Sequence, residues 1–145
     1  MTQRMNYFEL APEAVRMMRE IEKYTRKSSI DRTVQELVKI RASQINGCAF
    51  CINMHTAEAR QIGVTEQRLY CISAWRDCMF YSDKEKAALE LAEQITLISE
   101  SHVSDHLYQH VRQYYTEKEY LDLIVLINQI NSWNRLSIAA GNMAE

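Results

Sequence analysis

The sequence predicts a single all-α domain that spans residues 1–145. Apolar residues recur at spacings of three and four in most segments, which is the periodicity of a helix. Only three glycines and one proline interrupt the chain, and no stretch alternates apolar and polar residues for long enough to form a strand. We therefore expect one compact unit of about six helices.

The first helices are bounded by recognisable start and stop residues. After an extended N-terminal arm, one helix is expected from Pro12, which suits a first turn, to about Lys27. Asp31 is suited to cap the second helix, which carries apolar residues at spacings of three and four. The Asn46-Gly47 pair is expected to end it.

The next two helices are expected from Cys48 to Gly63 and from Thr65 to about Cys78. The second of them also carries Cys71. Since free cysteine is among the most buried residue types, we expect Cys71 and Cys78 to occupy buried apolar positions.

Two capping boxes mark the remaining main helices. Ser82 with Glu85 opens a helix that reaches about residue 98, and Thr116 with Glu119 opens the last helix, which runs toward residue 140. A shorter helix is expected between them, over residues 104–115.

Composition argues against several classes of partner. A net charge of −2 gives no general attraction for nucleic acid or an anionic membrane. The longest apolar run is Leu123 to Ile127, far shorter than the roughly 20 residues of a membrane-spanning helix. The N-terminal stretch contains no signal-type apolar segment. We expect a soluble cytoplasmic protein without nucleic-acid or membrane partners.

The stretch INGCAFCINMHTAEA holds the residues with the clearest chemical potential. If Cys48 opens a helix, then Cys48, Cys51 and His55 fall within one sector of about 60°. Side chains three and four apart are neighbours on a helix, so the two sulfurs can meet and His55 can approach Cys51. In a reducing compartment, a CxxC pair indicates catalysis or metal binding rather than a structural disulfide.

A reactive cysteine requires help to ionise, because an unperturbed thiol is only about 3% thiolate at pH 7. A helix N-terminus alone usually falls short, so His55 is the expected base or cationic neighbour. A carboxylate would orient that histidine. Glu36 could supply it if the Asn46-Gly47 turn folds the preceding helix back, although the spacing is equally compatible with a Glu36 that faces solvent.

Other interpretations remain open at this point. Zinc would require two ligands beyond the CxxC pair, such as a remote Cys71 or histidine. Both cysteines could instead belong to the core. His102, His106 and His110 recur every four residues, but without interleaved carboxylates they indicate a polar helix edge rather than a metal site.

The segment from Glu36 to His55, ELVKIRASQINGCAFCINMH, resembles the core of the AhpD-like alkylhydroperoxidases within the carboxymuconolactone decarboxylase superfamily. It combines a glutamate twelve residues before the first cysteine, the CxxC pair, and a histidine four residues after the second cysteine. The segments MNYFELAPEA, EQRLYCISAWRD and INSWNRLSIAA resemble a small single-domain branch of that family, so the likeness covers almost the whole chain.

The resemblance implies an all-helical thiol peroxidase with no metal, heme or other bound cofactor. Cys51 would be the peroxidatic sulfur, Cys48 the resolving one, and Glu36 with His55 the proton relay. A small hydroperoxide would be the substrate, and an external dithiol or lipoyl-type reductant would restore the thiols. Because Cys48 lies nearer the helix start, we expect the reductant to attack that sulfur. The resemblance also implies a homo-oligomer, a trimer or hexamer.

One residue departs from the family pattern, because Phe50 stands where the better-characterised enzymes carry a second histidine. A phenyl ring cannot carry a proton, which leaves room for a disulfide reductase or a redox sensor. Near the C-terminus we expect Trp133 to pack in a core or interface and Arg135 to pair with a carboxylate. Met17 and Met18 are expected to be packing residues.

Overall fold

The computed structural model describes residues 2–145, and within that range it contains helices and no strand. The all-α prediction is confirmed. The α-helices are α1 (Tyr7–Leu10), α2 (Pro12–Arg26), α3 (Arg32–Asn46), α4 (Ala49–Gln61), α5 (Glu66–Tyr70), α6 (Asp83–Thr96), α7 (Asp105–Arg112) and α8 (Glu117–Ala140). A 3₁₀ helix, Ile72–Asp77, lies between α5 and α6.

Residues 2–145 thus contain nine helices where about six were predicted. Part of the N-terminal arm is helical, because the Asn6 side chain accepts a hydrogen bond from the Phe8 N–H and starts α1. The helix predicted to begin after Thr65 is divided into α5 and the 3₁₀ helix, within which Ala74 has non-helical torsions.

The predicted caps are present at the other helix starts. The Asp31 side chain accepts a hydrogen bond from the Thr33 N–H at the start of α3. Complete capping boxes open α6 and α8. Gly47 ends α3 with φ of 71°, in the left-handed region that glycine adopts without strain. That turn reverses the chain and sends α4 back along α3.

Helix α3 lies at the centre of the domain and contacts α4, α6 and α8. On one side Val34 and Val38 pack with residues of α6, α7 and α8. On another side Leu37 and Ile40 pack with residues of α4, α5 and the 3₁₀ helix. Each fully buried aliphatic side chain contributes about 1.5–3 kcal/mol. Because these neighbours enclose α3, its polar residue Glu36 is also fully buried.

Amide side chains join the C-terminal end of α3 to α8. Asn46 Nδ2 donates to Asn131 Oδ1 and to Asn134 Oδ1, both at 2.9 Å. Asn134 Nδ2 in turn donates to Ser43 Oγ at 2.9 Å. Buried amides are costly unless they are hydrogen-bonded, so this network fixes the end of α3 and with it the turn that leads to Cys48.

The N-terminal arm is held against the end of α8. The Arg4 N–H donates to the Ala140 carbonyl at 2.8 Å. Gly141 allows this approach, since a Cβ there would lie 2.6 Å from the backbone oxygen of Thr2. The arm therefore places α1 over the side of the domain where α4 and α8 meet. Among residues 2–145, no helix combines the length and the apolar character needed to cross a bilayer.

Candidate active site

Cys48 and Cys51 form a disulfide across the first turn of α4, with their Cα atoms 5.4 Å apart. Cys48 is the N-cap residue, and its sulfur accepts a hydrogen bond from the Cys51 N–H at 3.4 Å. The positive end of the α4 dipole therefore faces the Cys48 sulfur. Both cysteines are buried, although Gly47 and Ala49 on either side of Cys48 are exposed.

His55 lies one turn after Cys51 on α4 and meets Glu36 of α3. Its Nδ1 is 3.0 Å from Glu36 Oε2, and the two residues are 2% and 0% exposed. Because Nδ1 donates its proton to the carboxylate, Nε2 is the ring nitrogen that is left to accept one. The structure thus brings together Glu36 and His55, as the folded-back arrangement predicted, and excludes a solvent-facing Glu36.

Lys39, one turn after Glu36, completes a buried charge cluster. Its Nζ is 3.2 Å from Glu36 Oε1, and Arg32 Nη2 is 3.7 Å from the same oxygen. Burial alone would raise the pKa of Glu36, but the hydrogen bond from His55 and the charge of Lys39 hold that pKa below its ordinary value. Glu36 therefore remains a carboxylate and keeps the His55 ring oriented.

A second carboxylate, Glu58, faces the same histidine. Its Oε2 lies 3.6 Å from His55 Nδ1. Burial favours the neutral imidazole, but the hydrogen bond to Glu36 and the nearby Glu58 carboxylate outweigh it and raise the pKa of His55. A raised pKa increases the imidazolium fraction near neutral pH. That cation would stabilise a thiolate on the neighbouring sulfur.

Cys51 and His55 line one cavity of about 160 Å³. Its apolar wall comes from three parts of the chain and consists of Tyr7 and Phe8 of α1, Phe50 and Met54 of α4, and Trp133 of α8. Tyr7 is fixed by its hydroxyl, which lies 3.3 Å from Ser137 Oγ of α8. The cavity gives a small organic molecule access to Cys51, whereas Cys48 does not line it.

All four residues predicted for the site, Glu36, Cys48, Cys51 and His55, lie together in the fold. The site also contains Lys39 and Glu58, which were not predicted from the sequence. Both follow a predicted residue by three positions on the same helix, so helical spacing could have identified them. No local pattern reveals that α1 and α8 supply the cavity wall.

Several expectations about other residues are wrong. Cys71 and Cys78 are partly exposed instead of buried, because the helix that was to carry them both is interrupted. Arg135 donates to the amide oxygen of Asn131 at 3.0 Å and, within the part of the chain that the structure describes, does not pair with a carboxylate. Met17 is 61% exposed.

Trp133 fits its predicted packing role only in part. It packs against a small core cluster that contains Tyr7 and Val15. It also borders the cavity, and its Nε1 is buried without a hydrogen-bond partner among the described residues.

The potential metal ligands do not support the zinc alternative. Among residues 2–145, the group whose ligand atoms converge within 4.8 Å is Glu36, His55 and Glu58, and it includes neither cysteine. Within that group, a proton already joins His55 to Glu36, and the Lys39 ammonium occupies the second Glu36 oxygen. Two of its three members are therefore already engaged by a hydrogen bond and an ion pair. His102 precedes α7, so the predicted row of three histidines on one helix does not form.

The charge cluster should make stability depend on pH. The pKa of Glu36 is lowered from 4.5, so its contribution is present above pH 4.5 and is lost as the pH falls through the lowered value. The pKa of His55 is raised from 6.5, so its contribution is complete below pH 6.5 and is lost as the pH rises through the raised value. We expect the site to stabilise the fold most between these limits.

Urea unfolding across this range measures the effect. The loss of unfolding free energy in His55→Gln should shrink as the pH rises above 6.5. His106→Gln, which removes an exposed histidine outside the site, is the matched control. A loss in His55→Gln that stays constant from acid to alkaline pH would contradict the assignment.

Known proteins share this sequence and architecture. Residues 12–94 match the model of the carboxymuconolactone decarboxylase family. The protein YdfG of Bacillus subtilis (strain 168) is 61% identical over 144 residues, which cover 99% of this chain and 98% of YdfG.

Solved structures extend the likeness to the whole fold. A protein of unknown function from Agrobacterium tumefaciens, for which an antioxidant defence role of the AhpD type has been suggested, has a TM-score of 0.96 and 33% identity over 99% of both chains. The debrominase Bmp8 has a TM-score of 0.82 over 95% of this chain and 74% of its own, and at 18% identity it shares the fold alone. The chain is thus an AhpD-like member of the carboxymuconolactone decarboxylase family.

Proposed function

We propose that the chain is a thiol-dependent hydroperoxide reductase. The observation that carries the proposal is that Cys51 faces a cavity, is paired with Cys48, and shares the cavity wall with a histidine that a buried carboxylate orients. The AhpD-type antioxidant role that has been suggested for the Agrobacterium tumefaciens relative agrees with this proposal.

The first step would consume the peroxide. His55 Nε2 accepts the proton of the reduced Cys51 thiol, and the thiolate attacks one oxygen of the hydroperoxide. The O–O bond breaks, sulfur is oxidised to a sulfenic acid, and the alkoxide takes the proton from His55 and leaves as an alcohol. Lys39 and Glu36 keep the ring in place throughout.

The second step would form the disulfide that the structure shows. The Cys48 sulfur attacks the Cys51 sulfenic acid and releases water, so two thiols and one hydroperoxide give one disulfide, one alcohol and one water. The N-terminal end of α4 stabilises negative charge on Cys48 as it attacks. Rapid disulfide formation also protects Cys51 from irreversible oxidation.

Regeneration would require an external dithiol, and a lipoyl-type dithiol fits the requirement. One of its thiolates would attack Cys48 and displace Cys51 as a thiolate. Its second thiol would then attack the resulting mixed disulfide, release Cys48 as a thiol and leave the reductant as a disulfide. Cys48 is 2% exposed but lies beneath the exposed turn formed by Gly47 and Ala49. A small opening of that turn would admit the reductant, while the peroxide reaches Cys51 from the cavity. No bound cofactor enters this cycle.

The cavity volume limits the substrate. A cavity of about 150 Å³ accepts a molecule the size of benzene, and this one measures about 160 Å³. A hydroperoxide whose organic group is about one ring in size would fit beside the apolar wall.

A disulfide reductase or a redox sensor is the second candidate. Phe50 favours it, because its ring borders the cavity at the position of a relay histidine and cannot transfer protons. The same CxxC pair would then exchange with a protein or small disulfide, and peroxide turnover would be incidental.

We further propose that the chain assembles as a trimer or hexamer in the cytoplasm. Met17, Ile21 and Tyr24 are exposed at spacings of four and three and therefore share one face of α2. An apolar face of this kind suits a contact between copies. The reducing cytoplasm would supply the dithiol.

One equivalent of cumene hydroperoxide added to the reduced native chain tests the main proposal. We expect an equivalent of alcohol, and mass spectrometry should show loss of two hydrogens in the peptide that contains Cys48 and Cys51. Oxidation confined to Cys71 or Cys78 would contradict it. Disulfide exchange much faster than peroxide consumption would favour the second candidate.

A further inference from the structure

We propose that Glu58 is the proton exit of the site and exchanges protons between His55 and the solvent. The proposal rests on the proposed peroxidase function. It assigns a role to a carboxylate that the cysteine chemistry leaves unused, and it explains how the relay operates with Phe50 in place of a second histidine.

The geometry places one N–H of the imidazole between two carboxylates. His55 Nδ1 is 3.0 Å from Glu36 Oε2 and 3.6 Å from Glu58 Oε2. An imidazole transfers a proton by accepting it on one nitrogen and releasing another from the opposite nitrogen. A proton that arrives at Nε2 from the Cys51 side can therefore leave from Nδ1 toward either carboxylate.

Glu36 cannot pass that proton onward. Its side chain is 0% exposed, and both of its oxygens are engaged, one by Lys39 and the other by His55. A proton that Glu36 took from Nδ1 would therefore have no path to the solvent, and Glu36 serves to orient the ring.

Glu58 has the two properties that Glu36 lacks. Its Oε2 is buried against His55 without a hydrogen-bond partner among residues 2–145, whereas its side chain as a whole is 34% exposed and borders the cavity. At 3.6 Å the Nδ1 to Oε2 contact is slightly too long for a hydrogen bond. A small rotation of this partly exposed side chain closes that gap, and catalytic hydrogen bonds commonly tighten when substrate binds.

The proton steps balance. When the Cys51 thiol ionises, Nε2 takes its proton, Nδ1 releases one to Glu58, and Glu58 delivers it to water. When the alkoxide forms, the same path runs in reverse and returns one proton to the leaving oxygen. No net proton is consumed, and Glu58 sets how quickly His55 regains the protonation state that each step requires.

Steady-state turnover of cumene hydroperoxide with excess dithiothreitol tests the proposal. Glu58→Gln keeps the shape of the side chain but cannot carry a proton, and we expect its kcat to fall about 10-fold or more. Glu58→Asp should retain much of the activity. Glu66→Gln, the same change at an exposed glutamate of α5, is the matched control and should equal the native chain.

Chemical rescue separates proton transfer from a structural effect. Acetate buffer should raise kcat of Glu58→Ala severalfold in proportion to its concentration and leave the native chain unchanged, because a small carboxylate can replace the missing side chain. If the native chain turns over hydroperoxide and Glu58→Gln has the same kcat as Glu66→Gln, the role of Glu58 is overturned but the peroxidase proposal stands. Failure of hydroperoxide to oxidise Cys48 and Cys51 in the native chain would overturn the peroxidase and the exit together.

Discussion

Replacement of Cys51 by serine is expected to abolish hydroperoxide reduction and to leave the fold intact. The serine hydroxyl occupies nearly the same space as the thiol, but it neither ionises near neutral pH nor accepts an oxygen atom from a peroxide. The position is 1% exposed on α4 and borders the cavity. We expect kcat/KM for cumene hydroperoxide to fall by about 10³-fold or more.

Two further cysteine variants test whether the loss of activity is specific to Cys51 and whether Cys48 is the resolving partner. Cys78→Ser removes a partly exposed thiol that does not line the cavity, and it should keep native activity. Cys48→Ser should consume one equivalent of hydroperoxide and then stop, with a sulfenic acid on Cys51, because no partner sulfur remains. Equal rates for the native chain and Cys51→Ser would reject the catalytic assignment.

Local chemistry explains which parts of the fold could be predicted from the sequence. The caps at Asp31, Ser82 and Thr116 act within one turn of the chain. The same holds for the left-handed glycine at position 47. Since a helix fixes the direction of residues three and four apart, the shared face of Cys51 and His55 could also be predicted.

The interrupted segment after Thr65 shows where tertiary contacts override local pattern. Trp75 is buried and its Nε1 donates to Glu93 Oε1 of α6 at 2.9 Å, which ties the 3₁₀ helix to a distant helix.

Near the N-terminus, the residue before Pro12 is disfavoured in the α conformation. Ala11 accordingly separates α1 from α2. Neither contact with α6 nor the docking of α1 is visible in a linear pattern.

The same distinction applies to the site. His55 requires a carboxylate by chemistry, but only the packing of α3 against α4 selects Glu36, 19 residues earlier. The cavity combines residues from the first ten positions with Trp133. Its composition depends on how the N-terminal arm docks on α8, which is a property of the whole fold.

Substitution of Glu36 by glutamine is expected to reduce both stability and activity. It removes the carboxylate that lies between His55 and Lys39. The Lys39 side chain is only 5% exposed, and its ammonium loses the partner that lies 3.2 Å away. Breaking a buried ion pair costs about 3–5 kcal/mol, which urea unfolding would measure. His55 also loses the anion that orients it and supports its imidazolium form, so kcat should fall by about 10²- to 10⁴-fold.

The double variant Glu36→Gln with Lys39→Met separates these two effects. Methionine removes the unpaired ammonium and fills a similar volume, so most of the lost unfolding free energy should return. Activity should stay low, because a neutral amide cannot stabilise the His55 imidazolium. Glu20→Gln, the same change on the exposed face of α2, should leave stability and activity nearly unchanged. If the double variant regained native kcat, Glu36 would serve only to neutralise Lys39, and the proton relay would have to be assigned to His55 and Glu58 alone.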